Sequence, residues 1–391
     1  MKTILCTLLT FTTSTTFSQN AGNQTLANND TVRNKVQLSI SPGFDIVKTT
    51  NNETVKKASV NLLVGYAKGI DGFQVSSLVN ICNGNARFFQ GSGLVNVTNG
   101  NFDGFQGAGL INVVSKKTTG MQGAGLINVS IDSVTGMQGA GLANACIKHV
   151  EGAQIAGLFN YATSVNGAQL GGLFNCGGNV KGSQIAGLFN VAKNVTGSQI
   201  SGLINVADSV SGASIAFFSF IRKGYHKLEL SADEVFYTNV AFRTGTDKFH
   251  NIFSIGVTPE KKNKQLWTCG YGIGSSIKLK EKLWLDIDVS ANNVLKVNSP
   301  LWGTEDSTSL NNRNGRLNLN NKLHVGVEWR FAKKISVSGG PVFNLMLADE
   351  RNANYQDVFS KVRPNYLINQ KVSNHIFMNV WVGARLAVRF F

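Results

Sequence analysis

Apolar and polar residues alternate along most of this chain, and the first long stretch of alternation is cut into copies. Between Gly72 and Gly212 the segment G-x-Q-x-x-G-L-x-N recurs in nine copies, with Ser77 in place of one glycine in the first copy and Phe88 in place of one glycine in the second. In residues 120–130 one face is predicted to carry Gln122, Ala124, Leu126 and Asn128, and the other face Gly123, Gly125, Ile127 and Val129. A period of two residues predicts strands rather than helices.

The copies recur at a nearly fixed spacing of 16 and later 15 residues. Their glutamines are Gln74, Gln90, Gln106, Gln122, Gln138, Gln154, Gln169, Gln184 and Gln199. A fixed period indicates one structural unit stacked on copies of itself. A second, shorter strand is marked by V-x-G at Val134, Val150, Val165, Val180, Val195 and Val210. Two strands and two turns in 15 or 16 residues predict one coil of a β-solenoid. All connections are alike, whereas a membrane meander alternates short and long turns.

Stacked coils place equivalent residues about 4.8 Å apart, so we expect leucine to pack on leucine and the amides to form ladders. The glycine before each leucine leaves room for a bend or a close backbone approach. A second apolar row contains Ile127, Phe159, Phe174, Phe189 and Ile204. We interpret this row as the second wall of the core; docking against the rest of the chain or a partner is the alternative.

Longer alternating segments follow the repeats. Leu283, Leu285, Ile287 and Val289 alternate with Trp284, Asp286, Asp288 and Ser290, and comparable segments begin at Leu323 and Met378. Residues 280–282 and 332–334 are expected to be short turns, and residues 296–316 and 348–374 long polar connections. Apolar outer faces, mixed inner faces and alternating turn lengths predict an outer-membrane β-barrel. A soluble β-sandwich or lipocalin-like barrel with its apolar face inward is the alternative.

The fold class is therefore all-β, with nine coils of a β-solenoid joined to an antiparallel barrel of about 8–10 strands. We expect a signal peptide at residues 1–18, a linker and strands at 19–71, the repeat array at 72–215 and the barrel at 216–391. The signal rests on Lys2, the apolar residues 4–11 and the small-x-small segment 16–18.

Composition adds little about chemistry. The net charge is +15, with 42 Gly and 15% charged residues. This balance is compatible with an anionic surface, but we interpret the charges as scattered, solvated Lys and Arg, because the chain lacks the dense basic tract of a nucleic-acid binder. Four cysteines follow the signal, and their spacing in the stack predicts free thiols rather than disulfides.

Candidate catalytic residues are sparse. The five histidines, His149, His226, His250, His324 and His375, fall in five segments without metal-ligand spacing. Residues 270–274 imitate a nucleotide-binding loop, but they are better explained as small residues on a barrel strand. Asp233 and Glu234 form one carboxylate pair. Asp286 and Asp288 form another, about 7 Å apart on one strand face. We predict no catalytic, cofactor-binding or metal residue, no cofactor and no enzyme activity.

The repeat, the segment Gly224-Tyr225-His226-Lys227-Leu228-Glu229 and the barrel-like end resemble uncharacterised bacterial surface-repeat proteins of the cell envelope. The resemblance covers roughly residues 36–391. It implies a non-enzymatic surface or structural protein of the outer membrane, exported through a cleaved signal peptide. Its expected partners are outer-membrane lipid, surface glycans or other envelope proteins, and no nucleic acid. The alternatives are a passive pore or transporter, and a secreted soluble β protein or enzyme.

The side of the membrane on which the array lies depends on the strand count. If only residues 57–67 precede the array as a barrel strand, eight strands place the array outside the cell. If residues 36–47 and 216–221 are also barrel strands, ten strands place it in the periplasm. The resemblance favours the cell surface.

Overall fold

The computed structural model describes residues 36–42, 44–45, 55–258, 266–296, 317–332, 334–349 and 367–390. These residues confirm the all-β prediction, with a parallel β-solenoid of about 10 turns and a closed 8-strand antiparallel barrel. The predicted signal peptide lies outside the described residues. Among the residues described, no helix is long and apolar enough to cross a membrane.

The first 23 strands form one continuous sheet, parallel except where β1 and β2 pair antiparallel. These strands are β1 (Val36–Ser41), β2 (Phe44–Asp45), β3 (Val55–Asn61), β4 (Val64–Ala67), β5 (Gly69–Ser76), β6 (Val79–Cys82), β7 (Ala86–Ser92), β8 (Val95–Thr98), β9 (Phe102–Ala108), β10 (Ile111–Val114), β11 (Thr118–Ala124), β12 (Ile127–Ser130), β13 (Val134–Ala140), β14 (Ala143–Ala156), β15 (Phe159–Gly171), β16 (Phe174–Ala186), β17 (Phe189–Val191), β18 (Asn194–Thr196), β19 (Gln199–Ser201), β20 (Ile204–Ala207), β21 (Ser209–Val210), β22 (Ser214–Ile215) and β23 (Phe218–Ile221).

Stacking keeps the repeat in register, because motif residues pair with their equivalents in the next coil. Gln122 lies opposite Gln138, and Asn128 lies opposite Asn144. The sheet runs past both ends of the motif array: β3 pairs in parallel with β5, and β23 pairs in parallel with β20. Residues 57–67 therefore belong to the solenoid, as do β1 and β23, so neither predicted assignment of these segments to the barrel is right, although the barrel does have eight strands.

The interior of each coil differs from the predicted arrangement. The glutamines and asparagines are buried and form ladders, as expected; for example, Gln138 Nε2 donates to Gln122 Oε1 at 2.8 Å. The leucines, however, point outward, and Leu142, Leu158 and Leu173 are each 37–38% exposed. The segment from glutamine to asparagine is not one strand: it bends at Gly-Leu, which breaks the alternation. Rows of valine and of alanine or cysteine complete the core.

Glycines make this tight winding possible at two positions per coil. A Cβ on Gly141, before the motif leucine, would lie 2.1 Å from the carbonyl oxygen of Gly125 in the preceding coil. The close backbone approach expected at this glycine is thereby confirmed. At the V-x-G glycine the backbone has positive φ, 131° in Gly136. Phe88 takes this position in an early coil, with φ 76°.

The outer surface of the array has an apolar face made of three neighbouring rows. The rows are formed by the motif leucine, the residue after it, and the residue after the motif asparagine. Ile127, Phe159 and Phe174 belong to the second row and are only half-buried. Their assignment to a second core wall is therefore wrong, because the wound coil turns this side of the strand outward. We call these rows the apolar face.

The remaining strands form the barrel. They are β24 (Tyr225–Asp233), β25 (Thr238–Gly245), β26 (His250–Val257), β27 (Leu266–Lys280), β28 (Leu283–Lys296), β29 (Asn318–Trp329), β30 (Ile335–Asp349), β31 (Ile368–Ser373) and β32 (Ile376–Phe390). Consecutive strands pair antiparallel from β24 to β30, and β32 pairs with both β30 and β24 to close the ring. β31 pairs with the start of β32, and it lies within residues 348–374, which were predicted to be a long polar connection.

Apolar side chains cover the outside of the barrel. Ile255, Ile287 and Val289 are exposed, whereas Asp286 and Asp288 on the alternate face of β28 are buried. Inward-facing apolar residues were the premise of the soluble-barrel alternative, and this arrangement is the reverse. Trp329 and Phe331 lie at one end of this surface, and Tyr237 lies at the other.

The two ends of the barrel differ in the length of their connections. β25–β26, β27–β28 and β29–β30 are joined by short turns at the end where β24 begins and β32 finishes. The longer connections lie at the opposite end, apart from the tight turn between β24 and β25. The array joins the barrel at the short-turn end, three residues after β23.

The last coil packs against the outer wall of the barrel. Thr244 Oγ1 donates to the carbonyl oxygen of Ser219 at 2.8 Å. Phe218 stacks on Phe253 with ring centroids 4.8 Å apart, and Phe217 stacks on Tyr271 at 5.0 Å. Since Phe253 and Tyr271 are on the outward faces of β26 and β27, the array meets the wall and not only the rim.

Candidate functional site

Charged side chains converge inside the barrel near its short-turn end. Their strands place every second residue inward, so Glu229, Arg243, Asp288, Glu328 and Arg389 reach the lumen from five different strands. All five are fully or almost fully buried. A buried charge needs an opposite charge and hydrogen bonds to offset its lost hydration. The geometry supplies both.

Arg243 is held by two carboxylates. Its Nη1 and Nη2 donate to the two carboxylate oxygens of Asp288 at 3.0 and 2.6 Å, a bidentate pair. Its Nε donates to Glu229 Oε2 at 2.7 Å. The planar guanidinium fork matches a carboxylate in this way, and a lysine ammonium could not reproduce the arrangement.

Arg389 forms the second centre of the network. Its Nε donates to Glu229 Oε2 at 2.7 Å, so one carboxylate oxygen bridges the two arginines. Its Nη1 donates to Asp286 Oδ2 at 2.5 Å and lies 3.4 Å from Glu328 Oε2. Arg385 also donates to Glu229. The network is therefore continuous around the lumen.

Two histidines join this network, although they are far apart in the sequence. His250 Nε2 lies 3.5 Å from Asp288 Oδ1, and His324 Nδ1 lies 3.4 Å from Asp288 Oδ2. Arg243 already occupies both oxygens of that carboxylate, which leaves the site unlike a metal centre. In the described part of the chain, no group of three or more His, Cys, Asp or Glu side chains could hold a metal ion.

The predicted Asp286/Asp288 pair also faces the lumen from one strand, but each carboxylate binds a different arginine. Ser276 Oγ donates to Asp286 Oδ1 at 2.6 Å and completes its coordination. Both carboxylates are therefore held by arginine and hydroxyl groups of the protein, which neutralise their charge inside the barrel.

The other half of the lumen is filled by the turn between β24 and β25. Glu234 Oε1 accepts hydrogen bonds from Asn344 Nδ2 and Trp381 Nε1, both at 2.8 Å. Val235 and Phe236 are buried in an apolar cluster that includes Trp381. The interior of an eight-strand barrel is just wide enough for side chains to fill. The described residues therefore close the lumen at two levels.

The short-turn mouth opens into a cleft of about 590 Å³ between the barrel and the last coil. Its walls include Lys223, Asp247, Lys248 and Lys278. Below it, Arg330 Nη2 binds Asp247 at 3.0 Å, and its guanidinium lies 3.8 Å from the ring centre of Trp284. Arg330 Nε also lies 2.8 Å from Glu328 Oε2, which links the mouth to the charged network.

The other candidate residues are dispersed. His149 contacts Ser164 on the array at 2.8 Å, and His226 binds the carbonyl oxygen of Ile221 at the junction. His375 lies in the turn between β31 and β32. Residues 270–274 lie on strand β27, as interpreted from the sequence.

Sequence reasoning placed the charged residues on the polar faces of strands but missed their assembly into one network. The alternation along each strand indicates that such residues share the lumen, but it does not show which arginine pairs with which carboxylate. Comparison with known proteins adds no identity, since no family model, no curated protein and no solved structure matches the chain.

Proposed function

We propose that this chain is a non-enzymatic outer-membrane protein whose barrel anchors the β-solenoid to the membrane and does not conduct. The observation that carries the proposal is a closed barrel with its apolar residues outward and its charges inward. A lipid bilayer is the solvent that suits such a surface, and a closed barrel satisfies every backbone hydrogen bond within it.

The filled lumen supports an anchoring role rather than transport. Arg243 and Arg389 cross-link inward carboxylates at the short-turn end, and the β24–β25 turn fills the opposite half. A pore of this size would need both levels to rearrange before an ion could pass.

The same architecture favours a periplasmic array. Bacterial outer-membrane barrels have short periplasmic turns and longer extracellular loops. The array joins this barrel at the short-turn end, so we propose that it lies in the periplasm, contrary to the side favoured by the sequence resemblance. It would then form an extended surface of stacked coils beneath the membrane.

The decisive experiment combines heat-modifiable gel mobility of the membrane-extracted protein with bilayer recordings. We expect a folded form that migrates differently from the heated form and shows no steady conductance after insertion. Extraction of the protein without detergent would refute membrane anchoring, and reproducible conductance would support the pore instead.

Protease treatment tests the side. We expect the array to stay intact on whole cells and to become cleavable once the outer membrane is permeabilised. Cleavage on intact cells would place the array outside.

A further inference from the structure

The apolar face of the array is a continuous exposed patch that runs the length of the nine copies. The leucine row runs from Leu78 to Leu203, eight intervals that span about 38 Å at about 4.8 Å per coil. With the two neighbouring rows the face covers on the order of 600 Å², the upper end of the largest patches on soluble monomers. Patches of this size are often functional, and they commonly mark contacts with proteins or membranes.

Charge is segregated away from this face. Between Gly72 and Ser211 every Lys, Arg, Asp and Glu lies in the short segments around V-x-G. Lys148 and Asp132, for example, form a 3.2 Å ion pair there, and both side chains are more than a third exposed. The segment from motif glutamine to asparagine and the residue after it contain no charge in any of the nine copies. Each coil is thus amphipathic, with a charged edge and an uncharged remainder.

The apolar face continues onto the barrel. In the last coil Phe217 takes the place of the motif leucine, and Phe218 pairs with Ile204 of the second row. These are the two rings that stack on Tyr271 and Phe253 of the outer wall. Ile255 and Ile273, the next outward residues along β26 and β27, are exposed. One apolar surface therefore runs from the wall to the array.

We propose that the array lies along the membrane leaflet at the short-turn end, with its apolar face in contact with lipid and its charged edge in water. The proposal rests on the proposed membrane position of the barrel. A protein partner is less well matched, because protein interfaces carry a polar rim around their apolar centre, whereas this face is uncharged along all nine copies. This face repeats small variations of one residue pattern. Amphipathic elements that lie on membranes bury an apolar face by about 5–10 Å.

Single fluorophores can locate this contact. In a background with the four mature cysteines replaced by alanine, one cysteine is introduced at Leu173 on the apolar face, Lys181 on the charged edge, or Ile287 on the barrel wall. Each is labelled with an environment-sensitive dye. The full-length protein is reconstituted in phosphatidylethanolamine–phosphatidylglycerol vesicles with and without a spin-labelled lipid.

We expect the spin-labelled lipid to quench the label at Leu173 and to shift its emission to the blue, as at Ile287. The label at Lys181 should keep water-like emission and little quenching. Gel mobility of each variant confirms that the barrel is folded.

The three label positions distinguish the lipid contact of the array from the membrane insertion of the barrel. Quenching at Ile287 but not at Leu173 overturns the lipid contact and leaves the barrel in the membrane. A blue shift at Leu173 without lipid quenching indicates that a protein, including a second copy, covers the face, and also overturns it. Equal quenching at Leu173 and Lys181 overturns the one-sided arrangement. No quenching at Ile287 instead contradicts the proposed function.

Discussion

Replacement of Gln138 by glutamate would test the buried amide ladder with almost no change in size. Gln138 Nε2 donates to Gln122 Oε1 at 2.8 Å, and Gln138 Oε1 accepts from Gln154 Nε2 at 2.9 Å. A carboxylate at this position can still accept from Gln154 Nε2. Its other oxygen, however, would face Gln122 Oε1, and two acceptors cannot form a hydrogen bond. A protonated carboxyl group can donate there and restore both bonds.

The size of the stability loss follows from the proton that the introduced carboxyl group must take up when the protein folds. An unfolded glutamate has a pKa of about 4.3, whereas burial raises the pKa of a carboxyl group to about 8–9. The Gln138→Glu protein therefore loses about 4 kcal/mol of folding free energy at pH 7.5 and less than about 1 kcal/mol at pH 4.5. Because the folded pKa is raised, the stability is present at low pH and is lost as pH rises.

Urea unfolding of the full-length protein in detergent measures this difference. All five tryptophans lie beyond the array, so their fluorescence follows the region outside it, while far-ultraviolet circular dichroism also follows the array. Thr196→Glu, on the exposed edge opposite Lys181, is the control and should change stability by less than about 0.5 kcal/mol at either pH. An equal loss for Gln138→Glu at both pH values, or no loss at pH 7.5, would show that the glutamine ladder is not buried away from water.

Three further outcomes follow from the packing. Gly136→Ala should destabilise the array by at least about 1–2 kcal/mol, because φ is 131° and a Cβ would lie 1.9 Å from a backbone oxygen. Gly139→Ala is the control: its Cβ would meet open space, so it should not change stability in the same urea titration. Arg243→Met should lower barrel stability by about 3–5 kcal/mol, because it leaves buried carboxylates without their cationic partner. The loss should be seen as a lower temperature at which the folded gel band disappears, and an unchanged temperature would contradict the network. Burial raises the pKa of Cys82 and Cys146 to about 11, so the free energy of unfolding should fall between pH 9 and 11 by up to about 3 kcal/mol per thiol. The fall should be smaller in the variant with both cysteines replaced by alanine. An equal dependence of stability on pH in the two proteins would count against buried thiols.

The sequence predicts the solenoid well because its signal is repeated nine times, and each copy constrains the others. It mispredicts the direction of the leucines because period-two alternation assumes an unbroken strand. The Gly-Leu bend adds a change of direction that the pattern of apolar residues does not encode. The glycine was visible as a possible bend, but only the stacked backbone shows that the chain turns there and sends Leu142 outward.

The lumen was predictable in character but not in detail. Alternation places Asp286, Asp288 and Arg389 on inward faces, which identifies a polar interior. The partner of each charge depends on the stagger between strands 45 to 160 residues apart, as for Arg243 with Asp288 and Arg389 with Glu229. The β24–β25 turn folds inward because Glu234 finds donors on β30 and β32, and these contacts are equally non-local.

The docking of β23 on the barrel also has a consequence for self-association. A stack of parallel coils ends in strands with unpaired backbone groups, and such edges can add further copies and grow into fibres. Here the carbonyl groups of Ser219 and Ile221 are already bonded to Thr244 and His226 of the barrel. At the other end, the antiparallel strand β2 pairs with the edge of β1. These contacts occupy part of the terminal edge at each end of the stack, and they disfavour its growth by addition of further copies.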